Sequence, residues 1–237
     1  YLKAKANGAA WHAPSSANPM PAIQRAAELA KERVSARTYK QEWLAEFVDD
    51  GAFFTNIEQN ANATKQDKGI PNHEYVIGVD WARASGGDYS VFAVIDATRG
   101  EMCEMVRLNG MPYDAQLLRL RALYERFNGA QIIAEANSMG SPLVERLQFE
   151  GLPVTAFTTT AATKHQIMTA LQLALEQSEL KLLNDAALIS ELQAFEVKER
   201  AGLPSYSAPD GFHDDTVMAL ALAYHGVNNR TGVLFEV

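Results

Sequence analysis

Three consecutive stretches, Glu74–Trp81, Tyr89–Asp96 and Met102–Leu108, are rich in β-branched and aromatic residues. Gly86-Gly87-Asp88 and Thr98-Arg99-Gly100 separate them at hairpin distances, so the pattern predicts three strands. The apolar period then lengthens. Leu117, Leu120, Leu123, Tyr124 and Phe127 form one helical stripe over Tyr113–Phe127. Short buried strands are expected at Gln131–Ala136 and Pro153–Phe157, with helices at Gly140–Glu150, Thr163–Gln177 and roughly Ala186–Val197. Residues 198–212 hold two Gly and two Pro and read as a loop or hairpin. His213–His225 is a last, strongly apolar helix. Strands followed by alternating helices and strands imply an α/β fold, with a mixed central sheet flanked by helices. Leu171, Leu175 and Leu180 read as core.

The N-terminal part is organised differently. Residues 1–20 read as loop, Pro21–Val34 as a helix with Pro in its first turn, and Ala36–Val48 as a second helix ended by Asp49-Asp50-Gly51. Residues 56–73 are polar and aperiodic, which suggests a linker. We expect two parts, 1–67 and 68–237.

Composition is that of an ordinary globular chain, with 47% apolar and 21% charged residues. No window approaches 18 consecutive apolar residues, so no membrane helix is expected. The chain begins at Tyr1 without a signal-peptide pattern, and we expect a piece of a longer polypeptide. Cys103 is the only cysteine, which excludes an internal disulfide and a cysteine-based zinc site and fits a reducing cytosol. Charge is uneven: residues 1–66 carry 8 Lys/Arg and 7 Asp/Glu, residues 67–237 carry 13 and 22. Bulk charge therefore argues against a polyanionic ligand unless the acids gather at a metal site.

Three apolar elements do carry acids where burial should forbid them. Asp80 ends VIGVD, Glu135 sits near the end of QIIAEA, and Asp214 and Asp215 open a helix whose body is VMALALA. Carboxylates are almost never fully buried unless paired or bound to metal. Strand alternation puts Tyr75, Ile77 and Val79 on one face, and Val76, Gly78 and Asp80 on the other. If the first and fourth strands are parallel neighbours, Asp80 and Glu135 leave the sheet at one edge, where open α/β sheets bind ligands. Such a group of oxygen ligands suits Mg²⁺ or Mn²⁺, and two ions would serve phosphodiester displacement. Each acid also has a bland reading: a strand end meeting solvent, a loop residue, or a helix cap with a dipole-favoured neighbour.

YVIGVDWARASGGDYSVFAVID, IIAEANSMG and GFHDDTVMALALA together resemble the RNase H-like nuclease domain of phage large terminases, over roughly residues 73–227. HDD-x-x-x-A-L-A is the most specific piece. RTYKQEWLAEFVDDGAFF resembles the segment joining the terminase ATPase domain to its nuclease, so 1–67 would be the end of an ATPase domain plus linker. No G-x-x-x-x-G-K-[ST] loop occurs in the chain. The resemblance implies that Asp80 bridges metals, Glu135 is a second ligand, and Asp214 and Asp215 supply the third corner. It implies an endonuclease in which a metal-activated water attacks double-stranded, concatemeric viral DNA during packaging in the host cytoplasm. The ATPase domain of the same polypeptide, a small terminase subunit and the portal protein would be its partners. Lys164 resembles a family lysine near the catalytic face, and Asp88 a recurring acid that a turn explains as well. Arg83, His213, Lys198 and Arg200 are candidate DNA contacts, with Tyr206 in the same loop as the last two. The competing readings are a Holliday-junction-resolvase or transposase-like nuclease, a sugar-kinase or actin-like ATPase half, and a non-catalytic module that docks DNA or portal. Ser138 and Ser141 have no base partner in the sequence, so serine hydrolase chemistry has little support.

Overall fold

The computed structural model describes residues 13–34, 38–45, 52–82, 89–137, 140–200, 203–207 and 213–230. The chain forms two compact units, 1–51 and 52–237. In the first, α1 (Pro21–Arg33) has Pro at its first position and buries Ala27 and Ala30. Of the expected second helix, the described residues form a single π-helical turn, Tyr39–Trp43.

The second unit starts at Ala52, ahead of the boundary expected near residue 68. The reason is burial: Phe53, Phe54 and Ile57 belong to its core. The segment expected as linker is bound to this unit. It contains a one-turn helix, α2 (Ile57–Asn60), and Asn60 Nδ2 donates to the Leu175 carbonyl at 2.7 Å.

The central sheet is built from β1 (Tyr75–Asp80), β2 (Ser90–Asp96), β3 (Glu101–Leu108), β4 (Gln131–Glu135) and β5 (Val154–Phe157), in the spatial order β3-β2-β1-β4-β5. β2 runs antiparallel to both β1 and β3, while β1–β4 and β4–β5 are parallel. The sheet is therefore mixed, as the element order implied.

Alternation along β1 divides the core as expected. Tyr75, Ile77 and Val79 join a cluster with α3 (Tyr113–Arg126) and α4 (Gly140–Phe149). Val76 joins the opposite cluster, with α5 (Ala161–Glu176), α6 (Ala186–Ala194) and α7 (Asp215–Arg230). Thr160 and Thr163 close a capping box at the start of α5, and the Asp185 side chain caps α6 through the N–H groups of Ala187 and Leu188. α6 ends at Ala194 rather than Val197, because the chain turns at Phe195 into a hairpin of β6 (Glu196–Arg200) and β7 (Leu203–Ser207).

α7 lies directly on β1. A Cβ at Gly78 would come within 2.0 Å of the Ala219 carbonyl oxygen and 2.3 Å of the Ala223 nitrogen. Only glycine permits that approach, which brings the helix carrying Asp214 and Asp215 against the strand carrying Asp80. A Cβ at Gly140 would likewise fall 2.0 Å from the Glu135 carbonyl oxygen, so the start of α4 sits against the end of β4.

Candidate metal and nuclease site

Val79 pairs with Ala134 in the parallel ladder, which puts Asp80 and Glu135 side by side at the same end of adjacent strands. The next residues are also anchored. Asn137 Nδ2 donates to the Thr159 carbonyl at 2.7 Å, and the Thr159 N–H donates to Asn137 Oδ1 at 2.8 Å, tying the exits of β4 and β5 together.

Asp80 feels the charge of the other three acids. Burial pushes its carboxyl well above the usual range, and the charge of Glu135, a hydrogen bond with Glu135, and the charges of Asp215 and Asp214 push it further. Desolvation and like charge act in the same direction here. Asp214 and Asp215 each have a separate partner. Lys164 Nζ lies 3.0 Å from Asp214 Oδ2, and the Tyr89 N–H donates to Asp215 Oδ2 at 2.9 Å. His213 Nδ1 is 3.8 Å from the same Asp215 oxygen, and its ring lies edge-on to Tyr89 at 6.1 Å. Among the described residues, no group of three or more His, Cys, Asp or Glu side chains is placed to hold a metal ion as it stands. Asp214 faces Lys164, and Asp215 faces the Tyr89 amide.

The donor set nevertheless fits a hard divalent cation. It is all oxygen, burial and then the neighbouring acids raise the Asp80 pKa, and a cation would offset that repulsion.

The structure thus sets Asp80 beside Glu135, Lys164 beside Asp214 and His213 near Asp215. Arg83 and Asp88 lie outside the described residues, as do the side chains of Lys198 and Arg200, whose backbones belong to β6. Tyr206 departs from its expected place on a DNA-facing loop. It is buried in the core, edge-on to Phe53 at 5.4 Å, and its hydroxyl hydrogen-bonds His165. It anchors the hairpin to α5, one residue from Lys164.

Sequence reasoning missed a second layer. Glu191, on α6, is buried; its Oε2 accepts from the Thr216 N–H at 2.8 Å and from Thr216 Oγ at 2.5 Å. Burial raises its pKa and Asp215 adds to the rise, while the Thr216 donors and Arg107 oppose it. Arg107 stacks on the Tyr89 ring at 4.2 Å. The signal existed: AALISELQA is an apolar helix bearing one acid, the same anomaly that marks Asp80 and Glu135.

Residues 77–226 match the terminase RNaseH-like domain family. The chain belongs to that family. The terminase large subunit of Thermus phage G20c is 30% identical over 210 residues, covering 84% of this chain and 43% of the relative. This chain accordingly spans less than half of the curated relatives it matches. The crystal structure of the large terminase nuclease of thermophilic phage G20c superposes with a TM-score of 0.68 at 29% identity, over 74% of this chain and 98% of that one. The same nuclease has been solved with magnesium, cobalt and zinc bound. The fold is thus the RNase H-like fold of terminase nucleases, and the family role is that of a nuclease.

Proposed function

We propose that this domain is a divalent-metal-dependent endonuclease that cuts double-stranded, concatemeric viral DNA during genome packaging. The observation that carries the reading is the placing of acids at one sheet edge: Asp80 and Glu135 end adjacent parallel strands, and α7, which begins at Asp215, is seated on Gly78 of the Asp80 strand, where burial and the neighbouring acids raise the Asp80 pKa. Groups perturbed this strongly, and at a sheet edge, cluster at functional sites. The metal-bound states of the G20c nuclease support the same reading.

Asp80, Glu135, Asp214 and Asp215 would hold two Mg²⁺ or Mn²⁺ ions. When bound, the ions supply Lewis acidity toward a phosphodiester and the water that attacks it. The chain's own groups hold the site in register. The Tyr89 amide orients Asp215, and Lys164 orients Asp214 while placing a positive charge beside the acids. We assign phosphate contact to Lys164 and His213, and further backbone contact to Arg83, Lys198 and Arg200. Residues 1–51 would be the end of an ATPase domain, and the ATPase domain, a small terminase subunit and the portal protein would be the partners, in the host cytoplasm. Among the described residues no helix is long and apolar enough to cross a membrane.

The test is nicking of supercoiled plasmid with Mg²⁺ or Mn²⁺ and with chelator. Metal-dependent nicking that vanishes in Asp80→Ala and Glu135→Ala is expected. A chain that never nicks, or an Asp80→Ala variant as active as the parent, would mark a docking module instead.

A further inference from the structure

The acid layer beneath the site is not required by the fold. Glu191 is 7% exposed on an otherwise apolar helix, where a leucine would pack without desolvating a charge. Its contacts lead back to the site along two routes. One is direct: Glu191 Oε2 holds both the N–H and the hydroxyl of Thr216, the residue after Asp215. The other passes through Arg107, whose Nη2 lies 3.8 Å from Glu191 Oε1 and whose guanidinium covers the Tyr89 ring; the Tyr89 N–H then donates to Asp215. A closed circuit therefore runs Asp215–Thr216–Glu191–Arg107–Tyr89–Asp215.

We infer that Glu191 is a positioning residue, which fixes the first turn of α7 from below and so sets the orientation in which Asp215 meets a divalent cation. The inference rests on the metal reading above and names the support that reading lacks. Two hydrogen bonds to one residue, from its N–H and from its hydroxyl, fix both its position and its rotation. The first turn of α7 also leaves backbone N–H groups without helical partners, and Glu191 takes one of them. Removing the partners that orient a metal ligand costs about 10–100-fold in metal affinity or activity.

The experiment uses the 237-residue chain and Mn²⁺ alone as probe. Calorimetric Mn²⁺ affinity, the Mg²⁺ concentration giving half-maximal plasmid nicking, and melting temperature are measured for Glu191→Ala, Glu191→Gln and Thr216→Val. Leu188→Ala, a core change on the same helix, serves as control for lost stability. Glu191→Ala should weaken Mn²⁺ binding about tenfold or more and shift the Mg²⁺ midpoint alike. Glu191→Gln, which keeps an acceptor oxygen, should fall between it and the parent. Leu188→Ala should lower the melting temperature without moving Mn²⁺ affinity. If Glu191→Ala does not fold, Glu191→Gln and Thr216→Val decide, and parental Mn²⁺ affinity in both overturns the inference. A parent that binds Mn²⁺, with Glu191→Ala variants matching it, overturns the inference alone. A parent that binds no Mn²⁺ overturns the metal reading as well.

Discussion

At the residue scale, function and stability are opposed at Asp80. Its carboxyl is disfavoured as an anion by burial and by three neighbouring acids, yet a cation binds the anion. Asp80→Asn keeps the shape and removes the charge. We expect its plasmid nicking to fall to background while the metal-free melting temperature at pH 8 rises. Relief of even ~1 kcal/mol would move it about 2–4 °C in a chain of this size. A lower melting temperature would contradict this account. The pH dependence follows from the raised pKa. A carboxyl whose folded-state pKa is raised favours folding while protonated, and loses that contribution as pH rises through the raised value. Metal binding needs the ionised form, so the two effects cross. Saturating Mg²⁺ should raise the melting temperature by several degrees at pH 8 and hardly at all at pH 5; equal gains at both would sink the idea. Asp80, Glu135, Asp214 and Asp215 stand out in the sequence because each is an acid on an apolar element. Tyr206 was misplaced because its sequence neighbours are loop-forming residues, whereas its ring packs on Phe53, far away in the chain.

At the scale of elements, the site depends on how closely α7 lies on β1. Gly78 faces backbone atoms of Ala219 and Ala223, which cannot step aside. Gly226 faces side-chain rather than backbone atoms, those of Val76 and Ile133, at 2.6 and 2.7 Å from an added Cβ, so those two side chains must give. Gly78→Ala should therefore cost about 1–3 kcal/mol or more, as overpacking does, and should also displace Asp214 and Asp215. Gly226→Ala should cost less and leave nicking closer to the parent. Urea midpoints and nicking rates of the two variants measure the difference, and equal effects would show that α7 is free to lift. The strands of the central sheet and the longer helices of the second unit were readable from period alone, but the one-turn helix at Ile57–Asn60 was not. The end of α6 and the length of the hairpin were not, since Phe195 leaves the helix to join the aromatic cluster of Phe53 and Phe54.

At the scale of the whole molecule, the second unit needs the residues that look like linker. Phe53, Phe54 and Ile57 are buried in it, and truncating a buried phenylalanine typically costs about 3–5 kcal/mol. A chain starting at Ala52 should melt cooperatively, while one starting at Lys68 should melt far lower or not fold. Equal melting temperatures would return the boundary to residue 68. Charge acts at this scale too. Residues 67–237 carry 13 Lys/Arg against 22 Asp/Glu, so duplex DNA should bind weakly and lose affinity steeply with salt. Tight binding that persists at high salt would contradict it.

Element order along the sheet-forming part and the alternation on β1 were determined by the chain alone, and the four acids stand out there as candidates, because period and misplaced charge are local properties. The parallel pairing of β1 with β4, the seating of α7 on Gly78, and the circuit through Glu191, Arg107 and Tyr89 were decided only by tertiary structure. Those contacts join residues tens of positions apart, and which distant groups come within a hydrogen bond of one another depends on packing rather than on spacing along the chain.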